Sequence, residues 1–359
     1  MPLLPLYGHT QLREKLGAAV TRGVLPASLL LHGPRGVGKQ RLALWLGQLL
    51  LCEASDSGAR PCGVCKSCRF ALELGHPDLR WFFPRPRLSG AGASSDEVMD
   101  DYADAIAERV KSRGLYAPPA GTEAIYVASV RALVRLAAFT PTMGRRKVFV
   151  AGDAERMVPQ EGADQAANAF LKLLEEPPAD TTLILTSSEP GALLPTIRSR
   201  VVSIRVAPLP ESDVRAFLGN EDVHAALDRV GVVKGTEDRV ALAGGAPGAL
   251  LAAGARGDAH EAAAAFLAAL DSGRQERINA AFTLGGSRAR GFFSEVLDAL
   301  TLLLHQRARE AVARGDRRDA MRAIDGVDAV ERAKELASGN VSPQLLGAAL
   351  LQRMRGRAA

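Results

Sequence analysis

The sequence of 359 residues contains no apolar run long enough to cross a bilayer, which argues against a helical membrane-spanning protein. Its opening, MPLLPLYGHTQLREKL, lacks the basic-then-apolar layout of a secretory leader, so a cytoplasmic location with no membrane partner is expected. No long block of lysine or arginine is present, and no internal repeat is visible. A net charge of +5 with a pI near 9.2 therefore permits contact with nucleic acid, yet describes an ordinary solvated surface equally well. Cysteine is nearly missing too, at four residues in the whole chain. What is abundant is hydrophobic content, 47%, over a length that suffices for roughly two or three separate cores.

The four cysteines crowd into one window: Cys52, Cys62, Cys65 and Cys68. In the run CGVCKSC three thiols stand at two-residue separations, so a tight turn can aim them at one point. Cys52, at the end of an apolar helical stretch, supplies a fourth. Four soft thiolates suit tetrahedral zinc, and a filled shell leaves no position for substrate, so the expected metal is structural. The alternatives are four unlinked thiols in a reducing compartment or, less favoured without a leader, a disulfide.

Leu12, Leu16 and Val20 recur every four residues and predict an amphipathic first helix. Strands are expected at SLLLHG, HPDLRWFF, KVFVAGD, TTLILTSS and VVSIRV, alternating with the helices RLALWLGQLLL, IYVASVRALVRLAAF, GADQAANAFLKLLEE and PGALLPTIRSR. That alternation predicts an α/β fold built on a parallel sheet covered on both faces. Residues 84–122, rich in Pro, Gly and Ser and holding a charged helix from about Val98 to Ser112, read as a flexible surface insertion with that helix loosely attached. Beyond Pro208 strand signals largely vanish. A small helical domain is expected to about Arg256, and an Ala/Leu/Arg-rich helical domain from about Gly257. In the latter, Phe292, Val296, Leu300, Leu303 and Leu304 form one stripe, and Ser342-Pro343 opens the last helix.

Between the first strand and the second helix stand Gly33, Gly36, Gly38, Lys39 and Gln40, in the order G-x-x-x-x-G-K-Q. This matches a phosphate-binding loop up to its last position, where a Ser or Thr would hold magnesium. Backbone N–H groups in such a loop cradle phosphate, and Lys39 can reach the outer phosphates. The strand KVFVAGD should end in adjacent acids, yet Gly152 and Asp153 occupy the pair. Two magnesium-handling positions are therefore weakened together. Binding of ATP or ADP stays open, the Mg²⁺ site is degenerate, and efficient hydrolysis is not expected. Asp153 also reads as an ordinary strand-end turn residue.

LLLHGPRGVGK, CGVCKSC followed by HPDL, AANAFLKLLEEPP, LLPTIRSR and AGGAPGAL, in this order, resemble the clamp-loader subunits of bacterial DNA polymerase III, within the AAA+ family. Four cysteines between phosphate loop and HPDL narrow the resemblance to the delta-prime or gamma/tau type. Gln40, Gly152 and a glycine at Gly248, where a hydrolysing relative carries an arginine, favour delta-prime, as does the lack of a long extension after the last helices.

The resemblance implies three parts: an AAA+ domain over 1–207 with the cysteine module at 52–68, a helical lid over 208–256, and a helical collar over 257–359. It implies that Arg200, in TIRSR, serves as a trans arginine finger toward ATP held by a neighbouring subunit, although Val201 replaces the usual cysteine. It implies gamma/tau and delta subunits, the beta sliding clamp and primer–template DNA as partners in clamp loading. A gamma/tau-type ATPase motor and an AAA+ adaptor outside replication are the alternatives.

Overall fold

The computed structural model describes residues 2–54, 60–88, 93–116, 123–157, 164–229, 232, 235–252, 257–270, 272–273, 275–276, 279, 290–337 and 342–356. The chain divides into two compact units, one ending at residue 251 and one covering 252–359.

The first unit is organised by five strands: β1 (Ser28–His32), β2 (Leu79–Phe82), β3 (Lys147–Ala151), β4 (Thr181–Ser187) and β5 (Val202–Arg205). They pair in the order β2-β3-β4-β1-β5, every pairing parallel, with Leu30 opposite Leu185 and Val150 opposite Ile184. Central strands β3 and β4 are buried along their whole length, which is why they read as unbroken apolar runs rather than alternating ones. β5 lies at an edge and is mostly exposed.

Helices α1 (Thr10–Thr21), α2 (Lys39–Leu51), α3 (Lys66–Leu72), α4 (Ser95–Lys111), α5 (Val127–Ala137) and α6 (Asp164–Glu175) accompany the sheet. α2 is buried almost all round, with Leu42, Ala43 and Leu46 fully enclosed. The expected helix at PGALLPTIRSR is only a single 3-10 turn and the four-residue α7 (Pro195–Arg198), because Pro190 and Pro195 permit helix starts but not a continuous run. Helices α8 (Glu211–Leu218), α9 (Glu221–Arg229) and α10 (Thr236–Ala243) complete the unit.

The insertion differs from its expected character. Residues 89–92 and 117–122 lie outside the described part, but α4 is packed into the core rather than loosely attached. Val98, Tyr102 and Ala105 are buried, and the Tyr102 hydroxyl donates to the Phe83 carbonyl at 2.7 Å. Arg85 forms a two-pronged pair with Asp101, both bonds 2.8 Å. The helix begins with a full capping box between Ser94 and Glu97. Its many surface acids mask three apolar positions at 98, 102 and 105, a stripe with helical spacing.

The second unit is helical: α11 (Gly257–Ala269), α12 (Arg290–Ala313), α13 (Arg317–Ala337) and α14 (Pro343–Gly356). Phe266, Val296, Leu300, Leu304, Val330 and Leu350 form its core. Of the predicted stripe, Val296, Leu300 and Leu304 are buried and Leu303 partly so, while the side chain of Phe292 lies outside the described residues. The Leu346 N–H bonds to the Ser342 carbonyl, the first turn of α14. Among the described residues no helix is long and apolar enough to cross a membrane.

Candidate nucleotide pocket and metal centre

The carboxyl ends of β1, β3 and β4 meet at one point, as parallel sheets with crossover helices require, and this is where such sheets bind ligands. The loop after β1 brings Gly33, Gly36, Gly38, Lys39 and Gln40 there; the end of β3 brings Gly152 and Asp153; the end of β4 brings Ser188. Gly36 and Gly38 have φ of 86° and 92°, which only glycine adopts without strain. A Cβ on Gly36 would sit 2.4 Å from the Ala249 nitrogen, and one on Gly248 would sit 2.9 Å from the Gly36 carbonyl. The Gly248 N–H donates to that carbonyl at 2.9 Å. The segment AGGAPGAL thus lies backbone to backbone against the phosphate loop, with no room for an arginine side chain at 248.

Lys39 does not reach outward. Its ammonium donates to the carbonyls of Gly33 and Pro34 and to the Ser188 hydroxyl, each at 2.9 Å. Burial lowers its pKa to about 8, against the raising influence of Asp153 and Glu155. All three of its protons are therefore engaged by the chain itself.

Gln40 is equally committed. Its amide nitrogen donates to Asp153 Oδ2 at 2.9 Å, while its oxygen accepts from Trp81 Nε1 at 3.1 Å and the Tyr116 hydroxyl at 3.3 Å. A Cβ on Gly152 would lie 2.3 Å from that oxygen. The two departures from a working pocket are consequently one feature: the amide fills the space that a side chain at 152 would need. The loop and the strand end supply one carboxylate, Asp153, bonded to the Gln40 amide, where magnesium handling uses a loop hydroxyl and an acid pair. The Thr186 hydroxyl accepts from the Asp153 N–H at 3.1 Å, and a buried acid, Glu155, stands close by and accepts from the Ser188 N–H at 3.0 Å.

Arg200 lies apart from this pocket, just after α7. Its guanidinium donates to the Thr196 carbonyl at 2.8 Å and pairs with Glu175 at the end of α6. The side chain is 28% exposed and that of Glu175 is 47% exposed, so the pair sits at the surface.

The four cysteine sulfurs all lie within 4.8 Å of one another. Cys52 caps the end of α2 and Cys65 the start of α3, so two helix termini aim the cluster. Backbone N–H groups of Cys62, Cys65 and Cys68 each point at the sulfur of the preceding cysteine in the set at 3.4 Å, which favours thiolates. The backbone N–H groups of Cys65 and Val64 pull the Cys62 thiol down to about 6, whereas burial pushes Cys68 up. Zinc–sulfur bonds of about 2.3 Å in a tetrahedron imply sulfur–sulfur edges of about 3.8 Å. The Cys62–Cys68 separation is 3.9 Å, so the four residues can hold a metal ion.

Sequence reading did not anticipate the link between this cluster and the sheet. The Ser67 hydroxyl donates to Glu53 at 2.6 Å and meets His76 Nε2 at 3.2 Å; His76 Nδ1 accepts from the Asp78 N–H. The Asp78 carboxylate then accepts from the N–H groups of Thr142, Met143 and Gly144 at 2.6–2.8 Å. Burial raises the Asp78 pKa, but these three bonds outweigh it and hold the group below the ordinary carboxylate range. The roles of Ser188, Trp81 and Tyr116 around the pocket were likewise missed, since nothing in their local sequence marks them.

Comparisons with known proteins agree with one another. The chain is 35% identical over 219 residues to the DNA polymerase III subunit delta' of Pseudomonas aeruginosa, covering 61% of this chain and 52% of that protein. It is 28% identical over 239 residues to the same subunit of Escherichia coli, covering 67% and 58%. To subunit gamma/tau of Mycobacterium tuberculosis it is 32% identical over 213 residues, covering 59% and 30%. The matched region thus spans little more than half the length of the delta' relatives. The family model described as "DNA polymerase III, delta subunit" matches residues 8–210, more than half the chain. The chain belongs to that family.

Proposed function

We propose that the chain is a delta'-type clamp-loader subunit that lends Arg200 to ATP bound on a neighbouring subunit and turns over little or no ATP itself. The observation that carries this reading is the pocket filled from within: Gln40 over Gly152, Lys39 bonded to its own loop, and Gly248 against Gly36. A fixed guanidinium stabilises charge that spreads over the transferred phosphoryl oxygens, and the part-exposed Arg200 suits that task. Glu175 holds it ready without burying it.

In this reading residues 1–207 form the AAA+ domain, 208–256 the lid and 257–359 the collar. The partners are gamma/tau and delta subunits, the beta sliding clamp and primer–template DNA, all in the cytoplasm. The metal at Cys52, Cys62, Cys65 and Cys68 is structural zinc: it cross-links the end of α2 to the start of α3, and its filled thiolate shell gives it no catalytic part.

Co-purification from cells of the natural source tests the reading. A tagged chain recovered with gamma/tau, delta and the beta clamp supports it; recovery without them favours an adaptor outside replication. A gamma/tau-type motor is the second reading, favoured only by the 32% identity to that subunit, and ATP turnover by the chain alone would reveal it.

A further inference from the structure

The inserted segment reaches the pocket. At the last turn of α4 the Arg109 guanidinium carbon lies 3.3 Å from the centroid of the Phe83 ring, 3.9 Å from that of Tyr116 and 4.4 Å from that of Trp81. Three rings around one cation form a cage, and such contacts strengthen when water is excluded. One nitrogen, Nη1, is buried with no hydrogen-bond partner among the described residues. Two of the same rings hold Gln40: Trp81 and Tyr116 both donate to its amide oxygen. Beyond that amide stands Asp153, whose carboxylate attracts Arg109 electrostatically. The other charges near Arg109 are Arg85, paired with Asp101, and Glu123. Arg109 thus packs on the rings of Trp81 and Tyr116, these bond the Gln40 amide, and the amide bonds Asp153, beside which stands the buried Glu155.

We propose that the segment 95–116 is a resident plug of the metal position, in which Arg109 supplies fixed positive charge in place of a divalent cation and Tyr116 locks Gln40 over Gly152. The plug sets two cations, Lys39 and Arg109, against the acids Asp153 and Glu155 at this strand end. It also gives the insertion a task that its surface composition conceals. The inference rests on the reading of the pocket as non-hydrolysing, but it concerns metal binding and is tested without any turnover measurement.

Trp81 is the reporter, made the sole tryptophan by Trp45→Phe in the full chain. Mn²⁺, which quenches nearby indole emission, is titrated with and without ADP, against the same chain carrying Arg109→Met. The expected result is no Trp81 quenching by millimolar Mn²⁺ in the parent, and quenching at least tenfold more sensitive to Mn²⁺ in the variant. Equal responses, whether both quenched or both silent, overturn the plug. Should Arg109→Met fail to fold by circular dichroism, the parent decides alone: quenching at or below 10 mM Mn²⁺ overturns the proposal, and none up to 10 mM upholds it. A non-hydrolysing chain that nevertheless binds Mn²⁺ beside Trp81 would sink the plug and leave the proposed function standing.

Discussion

Gln40 and Gly152 are sterically complementary: the side-chain amide of one occupies the volume that a Cβ on the other would take, with a separation of 2.3 Å. Gly152 is not in a left-handed conformation, so the requirement for glycine is one of space and not of backbone freedom. Gly152→Ala is therefore expected to cost roughly 1–3 kcal/mol through overpacking. In a Gln40→Ala background the same change should cost markedly less. A double-mutant cycle by urea denaturation measures the coupling, expected within about 0.5–3 kcal/mol; additive costs would contradict the contact.

The cysteine cluster leads to a direct analytical test. Protein purified in reducing buffer should hold about one zinc per chain, and Cys65→Ser should lose most of it. Chelation should lower the melting temperature, since a site formed only on folding contributes its binding energy to stability. Metal-free protein with an unchanged melting temperature would show the four thiols to be unlinked.

Asp78 is placed to join the cluster to the loop before β3, and its lowered pKa fixes the sign of a pH effect. A carboxyl whose folded value lies below its unfolded value stabilises above the unfolded value, and loses that contribution as pH falls through the folded one. Asp78→Asn should cost roughly 2–3 kcal/mol at neutral pH, because buried N–H groups lose a charged acceptor. The gap between variant and parent should narrow as pH falls below about 3.9. A gap independent of pH would show that the charge is not what holds residues 142–144.

Arg200→Ala should reduce the DNA-stimulated ATPase of the assembled loader about tenfold or more, leaving the melting temperature of the isolated chain nearly unchanged. Glu175→Gln, which weakens the pairing but keeps the guanidinium, should be far milder. Equal loss in both variants would assign the arginine a structural part within its own chain.

Much of this was legible in the residues and some was not, for definable reasons. The five strands were readable because burial on both faces leaves long apolar runs such as TTLILTS. The glycines and lysine of the phosphate loop and the four cysteines were readable because each chemistry demands a fixed spacing. That Gln40 and Gly152 depart from the usual residues was also readable; that they are a matched pair was not, because 111 residues of sequence separate positions that are neighbours only in space. Arg109 was illegible for another reason. It is one of 45 basic residues, on a helix whose acidic surface suggested solvent, and only the three rings around it reveal its burial.

The most direct test of the central claim is a turnover assay on the isolated, zinc-loaded chain with MgATP. Phosphate release indistinguishable from a Lys39→Ala control is the expected result. Robust release that Lys39→Ala abolishes would mean that the pocket opens and works, contrary to everything argued from Gln40 and Gly152.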